Sequence, residues 1–310
     1  MTVHNFEPIT FWSSFGSHPP ALHIRPGDTV ITSTVDASGL DKAGQMVAPG
    51  SNPETGPFYV EGADPGDTLV VHLDALGPNR PTGWSRDVLA AHIVEAGTVR
   101  SLPVSEKVAW EFALDGRTGR LASAGAPEML DQVDWPLHPM LGCLGVAPED
   151  GQVISSATSG PYGGNMDYRG TQAGVTFYFP VFAPGGLLHL GDGHALQGDG
   201  EIVGTGIETS FNVQFTVGLL KGHPIRWPRG ENDDYIFTIG NARPMEQALQ
   251  NATTEMLAWL QSDYQLDVRA ASLLLGMCVE YEIANVFDPA YTIVCKLPKG
   301  ILGRRERSVI

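Results

Sequence analysis

The sequence predicts a mainly β protein: a β-sandwich, jelly-roll-like body with an α+β C-terminal part. Three observations carry this. Glycine (37) and proline (23) together approach a fifth of the 310 residues, a composition that favours many short strands joined by turns. Strong helix formers are scarce before residue 243. The apolar runs that precede that point are short or alternate with period two.

Taken in order, the first turn signal is Pro26-Gly27-Asp28-Thr29-Val30, which recurs as Pro65-Gly66-Asp67-Thr68-Leu69. Pro-Gly marks a turn, and each copy leads into an apolar strand, Thr29 to Val35 and Thr68 to Leu73. Further strand-like runs follow at Val108–Leu114, Val175–Phe182 and Leu187–Leu190, with a longer one from Glu201 to Leu219. Within the last, Asn212-Val213-Gln214-Phe215-Thr216-Val217 alternates, so one of its faces is wet. Gly/Pro-rich connectors fill 36–66, 74–90 and 115–172; connectors of that length are commonly built around a site. Near Ala242 the character changes. Met245, Ala248, Leu249, Ala252, Met256, Leu257 and Leu260 recur at helical spacing over Pro244–Asp263. Asp267 caps a second helix through Ala270–Val279, and Tyr291–Pro298 reads as a last strand. The chain is therefore divided into a body, 1–240, carrying the site, and a C-terminal part, 241–310, whose helices serve packing or oligomer contacts.

The formal charge of −16 argues against a nucleic-acid backbone or an anionic membrane as partner. Three cysteines without a CxxC motif argue against a disulfide framework and for a reducing compartment. The N-terminus lacks the basic and apolar regions of a signal peptide, and no run approaches the ~18 apolar residues of a membrane span. A cytoplasmic protein is expected. No GxSxG elbow, P-loop or dinucleotide fingerprint is present.

Five constellations can carry chemistry. The foremost is Leu190-Gly-Asp-Gly-His-Ala-Leu-Gln-Gly-Asp-Gly-Glu201. Asp, His and Glu are ligands for divalent metals, and residues i and i+2 share one face of an extended segment. Asp192 with His194, and Asp199 with Glu201, repeat that spacing. Glu201 is then a third ligand or a general base; alternatively, Asp192-Gly193 and Asp199-Gly200 are simple turns. Gly163-Gly164-Asn165-Met166-Asp167 suits a loop tip aimed at a ligand, or an Asx-turn. His138, held extended before Pro139, is a fixed ligand or acid, or a structural imidazole. Nearby Cys143 is a buried packing residue or a nucleophile. Asp36, at the end of a strand, can reach the mouth of a sandwich. Asn52-Pro-Glu-Thr-Gly-Pro-Phe-Tyr-Val-Glu-Gly62 forms a rigid loop whose aromatics could wall a pocket.

These motifs, in this order, resemble those of the acetamidase/formamidase family: Asp36-Ala37, Asn52 to Ala63, Pro65-Gly-Asp-Thr-Leu69, His138-Pro-Met-Leu-Gly-Cys143, Gly163-Gly-Asn-Met-Asp167, and Gly191 to Glu201 followed by Gly204-Thr-Gly-Ile-Glu208. The resemblance spans roughly residues 20–300. It implies hydrolysis of a short aliphatic amide of the formamide or acetamide kind, a divalent metal (zinc, or calcium), and a homodimer or higher homo-oligomer. With the residue types, it nominates Asp36, Asp192 and His194 as metal ligands and Glu201 as general base and then acid. Asn165 would hold the amide, Asp167 would orient that contact, and His138 would be an acid or a supporting donor. Two other readings stand beside this one: a non-catalytic β-sandwich with a structural calcium, and a thiol amidohydrolase acting through Cys143. The connector 76–135 matches little of the family pattern.

Overall fold

A computed structural model describes residues 1–48, 50–122 and 128–302. Two large sheets face one another. The first has nine strands in the order Val3–Asn5, Thr29–Ser33, Phe211–Leu220, Thr68–Pro78, Thr176–Pro180, Arg229–Glu231, Tyr235–Ala242, Tyr291–Pro298 and Glu280–Asn285. The second runs Ser159–Gly160, Gly163–Asn165, Met140–Gly145, Leu188–His194, Glu54–Val60 and Phe11–Trp12, with Leu22–Ile24 alongside Glu54–Val60. Their inner faces share one core. Phe58, Leu141, Leu144 and Leu190 come from the smaller sheet, and Leu69, Val71, Phe177, Phe215 and Phe237 from the larger. The Phe58 and Phe215 rings meet edge-on at 5.1 Å across the gap, a favoured aromatic geometry.

Strand alternation explains a second layer. In Thr68–Pro78, Leu69, Val71 and Leu73 face the sandwich core, while Val70 points the other way. There it joins Tyr178, Ile236, Cys295 and Leu297 beneath Met256, Trp259 and Leu260 of the helix Met245–Tyr264. Asp267 caps the next helix, Val268–Cys278, by accepting a hydrogen bond from the Ala270 N–H at 2.8 Å. The C-terminal part does not stand apart from the body. Tyr291–Pro298 pairs along the whole of Tyr235–Ala242, and Glu280–Asn285 closes that edge of the large sheet.

The long connectors contain more structure than their composition suggested. Strands Glu54–Val60, Thr82–Arg86 and Met140–Gly145 lie within them, and a four-stranded sheet is made of Trp135–Pro136, Thr118–Leu121, Lys107–Phe112 and Thr82–Arg86. Conversely, the strand expected from Glu201 begins only at Phe211. The residues before it turn back on themselves, with Gly200 at φ +83° and Glu201 at φ +50°. Among the described residues no helix is long and apolar enough to cross a membrane. Cys143, Cys278 and Cys295 are free thiols.

Candidate active site

The strand Leu188–His194 runs antiparallel to Met140–Gly145, with Leu141 opposite Gly193 and Cys143 opposite Gly191. Between these pairs the Asp192 backbone adopts φ +57°, a left-handed conformation uncommon for any residue with a side chain. Asn52 (φ +52°), Asp167 (φ +42°) and Glu201 (φ +50°) share this feature. Such outliers concentrate where surrounding structure fixes an unfavourable backbone for a purpose. Gly142 makes room for the result: a Cβ there would collide with Asp192 Oδ2 and Asp167 Oδ1. Gly191 does the same for Glu54, and Gly206 for the His194 ring.

Asp192, His194 and Glu208 thereby converge in the interior. His194 Nε2 is 2.9 Å from Glu208 Oε1 and 3.3 Å from Asp192 Oδ1. Neither approach has the alignment of a hydrogen bond, and Nε2 is left without a partner. The other ring nitrogen explains the orientation. Gln197 donates its amide to the Asp167 carbonyl (2.7 Å) and the Ala284 carbonyl (3.4 Å). Its Oε1 is therefore presented to His194 Nδ1 at 2.8 Å, which fixes the proton on Nδ1. Nε2 then faces two carboxylates, a position that either a proton on Nε2 or a metal ion in its place would satisfy. Asp167, His194 and Glu201 form a second group whose donor atoms lie within 4.8 Å of one another.

The remaining acids crowd around. Asn285 Nδ2 donates to Asp167 Oδ2 (2.5 Å), Asp288 Oδ2 (2.7 Å) and Glu201 Oε2 (3.3 Å). Its Oδ1 accepts from the N–H groups of Phe287 and Asp288. Asn165 donates to Asp288 at 2.5 Å and accepts from the Cys143 thiol at 2.8 Å and from Asn52 at 3.3 Å. Glu54, fully buried beside Cys143 and Asp192, has neither carboxyl oxygen hydrogen-bonded.

Six carboxyl groups and one imidazole share this region, and their titration reflects it. Burial pushes Glu208 up to about 7 and Asp288 up to about 6. Burial, reinforced by neighbouring acids, drives Glu54, Asp167 and Glu201 well above the usual carboxylate range. Burial alone would lower His194, but the charges of Glu208 and Asp192 outweigh it and raise it well above normal. Asp192 is the exception: burial would raise it, yet the His194 charge holds it low. Perturbations of this size with specific partners in a cleft are typical of functional sites.

Of the residues nominated from sequence, Asn165, Asp167, Asp192, His194 and Glu201 are brought together. Asp36 is buried beside them but fully engaged: it pairs with Arg80 at 2.5 Å and accepts from the Trp84 indole (3.1 Å) and from the N–H groups of Ser38 and Leu40. No lone pair is left facing a cation, so it is omitted from the ligand set proposed below. His138 is exposed and lines a different depression with Arg169 and Glu282. Asp199 is an exposed partner of Arg169 at 2.6 Å. Cys143 is fully buried, and burial together with Glu54 and Asp192 raises its thiol far above the usual range, which disfavours a thiolate nucleophile. Sequence reasoning gave no role to Glu54, Glu208, Asn285 and Asp288. The first two lie inside motifs already quoted, and the motif order was the signal that could have found them.

The cluster forms the floor of a cavity of about 1150 Å³, into which Asn52, Asn165, Asp192, Glu201, Glu208 and Asp288 open. Fold and site together define a β-sandwich protein with a buried acid–imidazole centre at the base of a large cleft. The model of the Acetamidase/Formamidase family matches residues 17–159 and 154–304, and the chain belongs to that family. It is similar to an acetamidase of Mycolicibacterium smegmatis (28% identity over 239 residues, 62% of this chain and 58% of that protein). A formamidase of Methylophilus methylotrophus is 29% identical over 208 residues, covering 54% of this chain and 51% of that one. The matches thus span little more than half the length of these relatives. The crystal structure of an acetamidase from Yersinia enterocolitica superposes with a TM-score of 0.84 at 30% identity, covering 97% of this chain and 93% of that one.

Proposed function

We propose that this protein hydrolyses a short aliphatic amide to a carboxylate and ammonia, with a divalent metal held by Asp192, His194 and Glu208. The observation that carries this is the buried convergence of His194 Nε2, oriented by Gln197, on the Glu208 and Asp192 carboxylates at 2.9 and 3.3 Å, two negative charges that only a proton on Nε2 or a metal ion can offset. A cation resolves that conflict, and the donor set of one imidazole nitrogen and carboxylate oxygens suits zinc better than calcium, which prefers oxygen alone. Bound there, the ion supplies Lewis acidity.

The chain's own groups supply the rest. Glu201 opens into the cavity beside these ligands, placed to take a proton and return it. It accepts the proton of the attacking water as the water oxygen bonds to the carbonyl carbon. It then delivers that proton to nitrogen as the C–N bond breaks and ammonia leaves. Asn52 Oδ1, buried and without a partner, is an acceptor for the substrate NH₂ group. Asn165 Nδ2 keeps one N–H beyond its bond to Asp288 for the carbonyl oxygen. Asp167 and Asp288, tied through Asn285, hold Glu201 in place.

Ammonia release from formamide and acetamide, measured with and without a chelator and after zinc is restored, tests the proposal. Turnover should disappear on chelation and return with the metal. Absence of ammonia from the whole series, or turnover unaffected by a chelator that leaves the protein free of metal, would overturn it.

A further inference from the structure

The floor of the cavity is acidic, but one wall is not. Among the described residues lining it, Arg86 and Lys107 are the only cationic side chains. They stand directly opposite each other on the paired strands Thr82–Arg86 and Lys107–Phe112, so their side chains leave the same face. Like charges placed in this way destabilise a strand pair. The chain carries 35 acidic against 19 basic residues, yet neither cation has a carboxylate partner among the described residues.

Lys107 is nevertheless held in place. Its ammonium lies 3.4 Å from the centre of the Trp84 ring and donates to Ser38 Oγ at 2.9 Å, leaving other N–H groups free. Trp84 in turn is bridged to Glu208: the Trp84 N–H donates to the Glu208 carbonyl at 3.1 Å and the Glu208 N–H to the Trp84 carbonyl at 2.7 Å. Arg86 is two residues further along the same strand, or ~7 Å at strand rise. A fixed strand therefore links the reacting centre to a cationic wall.

Resting on the amide-hydrolase reading above, we propose that the preferred substrate is an amide that also carries a carboxylate, separated from the amide by a short aliphatic chain, and that Lys107 and Arg86 bind that carboxylate. The two ends of the cavity sort the two ends of such a molecule. An anion drawn to the floor would meet the carboxyl groups of Asp192, Glu201, Glu208 and Asp288, whereas the neutral amide meets Asn52 and Asn165. The guanidinium fork and the ammonium both match a carboxylate. A cavity of about 1150 Å³ is also far larger than acetamide requires.

The test compares succinamate with butyramide, which has the same carbon count and no charge. In the metal-loaded wild-type protein, kcat/KM for succinamate should exceed that for butyramide at least tenfold. Lys107→Met and Arg86→Met should reduce that advantage mainly through KM, with butyramide turnover unchanged. Calorimetric titration of both ligands into the Glu201→Gln variant separates recognition from chemistry. Tighter binding of succinamate there supports carboxylate recognition even if no amide is hydrolysed, an outcome that would sink only the catalytic reading. Equal binding of the two ligands, or an advantage that survives both methionine substitutions, overturns the inference.

Discussion

Two sets of buried acids in this molecule make opposite use of the same residue type. Asp28 and Asp67 follow the repeated Pro-Gly turns. Asp28 accepts from the N–H groups of Thr2 and Arg25 and from His4. Burial would raise it, but these bonds hold it down to about 2. Asp67 is held low in the same way by Lys221 and by the N–H groups of Gly222 and Asp64. In the acidic cluster both Glu54 oxygens, Asp167 Oδ1 and Glu208 Oε2 are buried without a hydrogen-bond partner, and all three residues are pushed upward. A satisfied carboxylate stabilises a turn. An unsatisfied one is tolerated inside a protein only where something else, a proton or a cation, completes it.

That contrast sets the expected size of each perturbation. Removing the imidazole should have the largest effect: His194→Ala should lose both bound metal, read by elemental analysis, and amide turnover. Glu201→Gln should lower kcat by ~10²–10⁴-fold while metal content stays intact. A fall in metal content in that variant would make Glu201 a ligand rather than the base. Gly142→Ala forces Asp192 and Asp167 apart. It should cost ~1–3 kcal/mol of stability, as overpacking does, with turnover falling further than the fraction folded.

Protons sharpen the comparison with a definite sign. In chelated protein, Glu208 (4.5 to about 7) and Asp288 (3.8 to about 6) bind protons that the unfolded chain has already released. Stability therefore falls as pH rises through that window. His194, also raised, acts in the same direction above its ordinary 6.5. The melting temperature of the chelated protein should drop between about pH 5 and pH 8, and added zinc should flatten the curve. The turn acids behave oppositely: their contribution is present at neutral pH and is lost only as pH falls through their depressed range, near 2 for Asp28. The smallest effect on function belongs to them. Asp67→Asn should cost ~1–3 kcal/mol of stability and leave kcat unchanged.

The sandwich, the two helices and the last strand were legible because apolar periodicity reports which face is buried. Asp192 and His194 were legible because close spacing in one strand brings them together whatever the rest of the chain does. Asp36 and His138 show where that reasoning stops. Nothing local reveals that Arg80, 44 residues on, occupies Asp36, or that His138 faces away from the cleft. Glu54 and Glu208 reach the floor only through cross-strand packing, beside Gly191 and across the bridge to His194 respectively. Asn285 and Asp288 arrive from a C-terminal segment read as packing, because the edge strand Glu280–Asn285 returns to the turn carrying Glu201.

Crystals of the protein grown with zinc, measured at the zinc absorption edge, test the central claim most directly. The account predicts an anomalous peak ~2.0–2.2 Å from His194 Nε2 and from carboxylate oxygens of Asp192 and Glu208. A zinc-saturated crystal with no peak there, and with His194 Nε2 hydrogen-bonded to those same carboxylates, would contradict it.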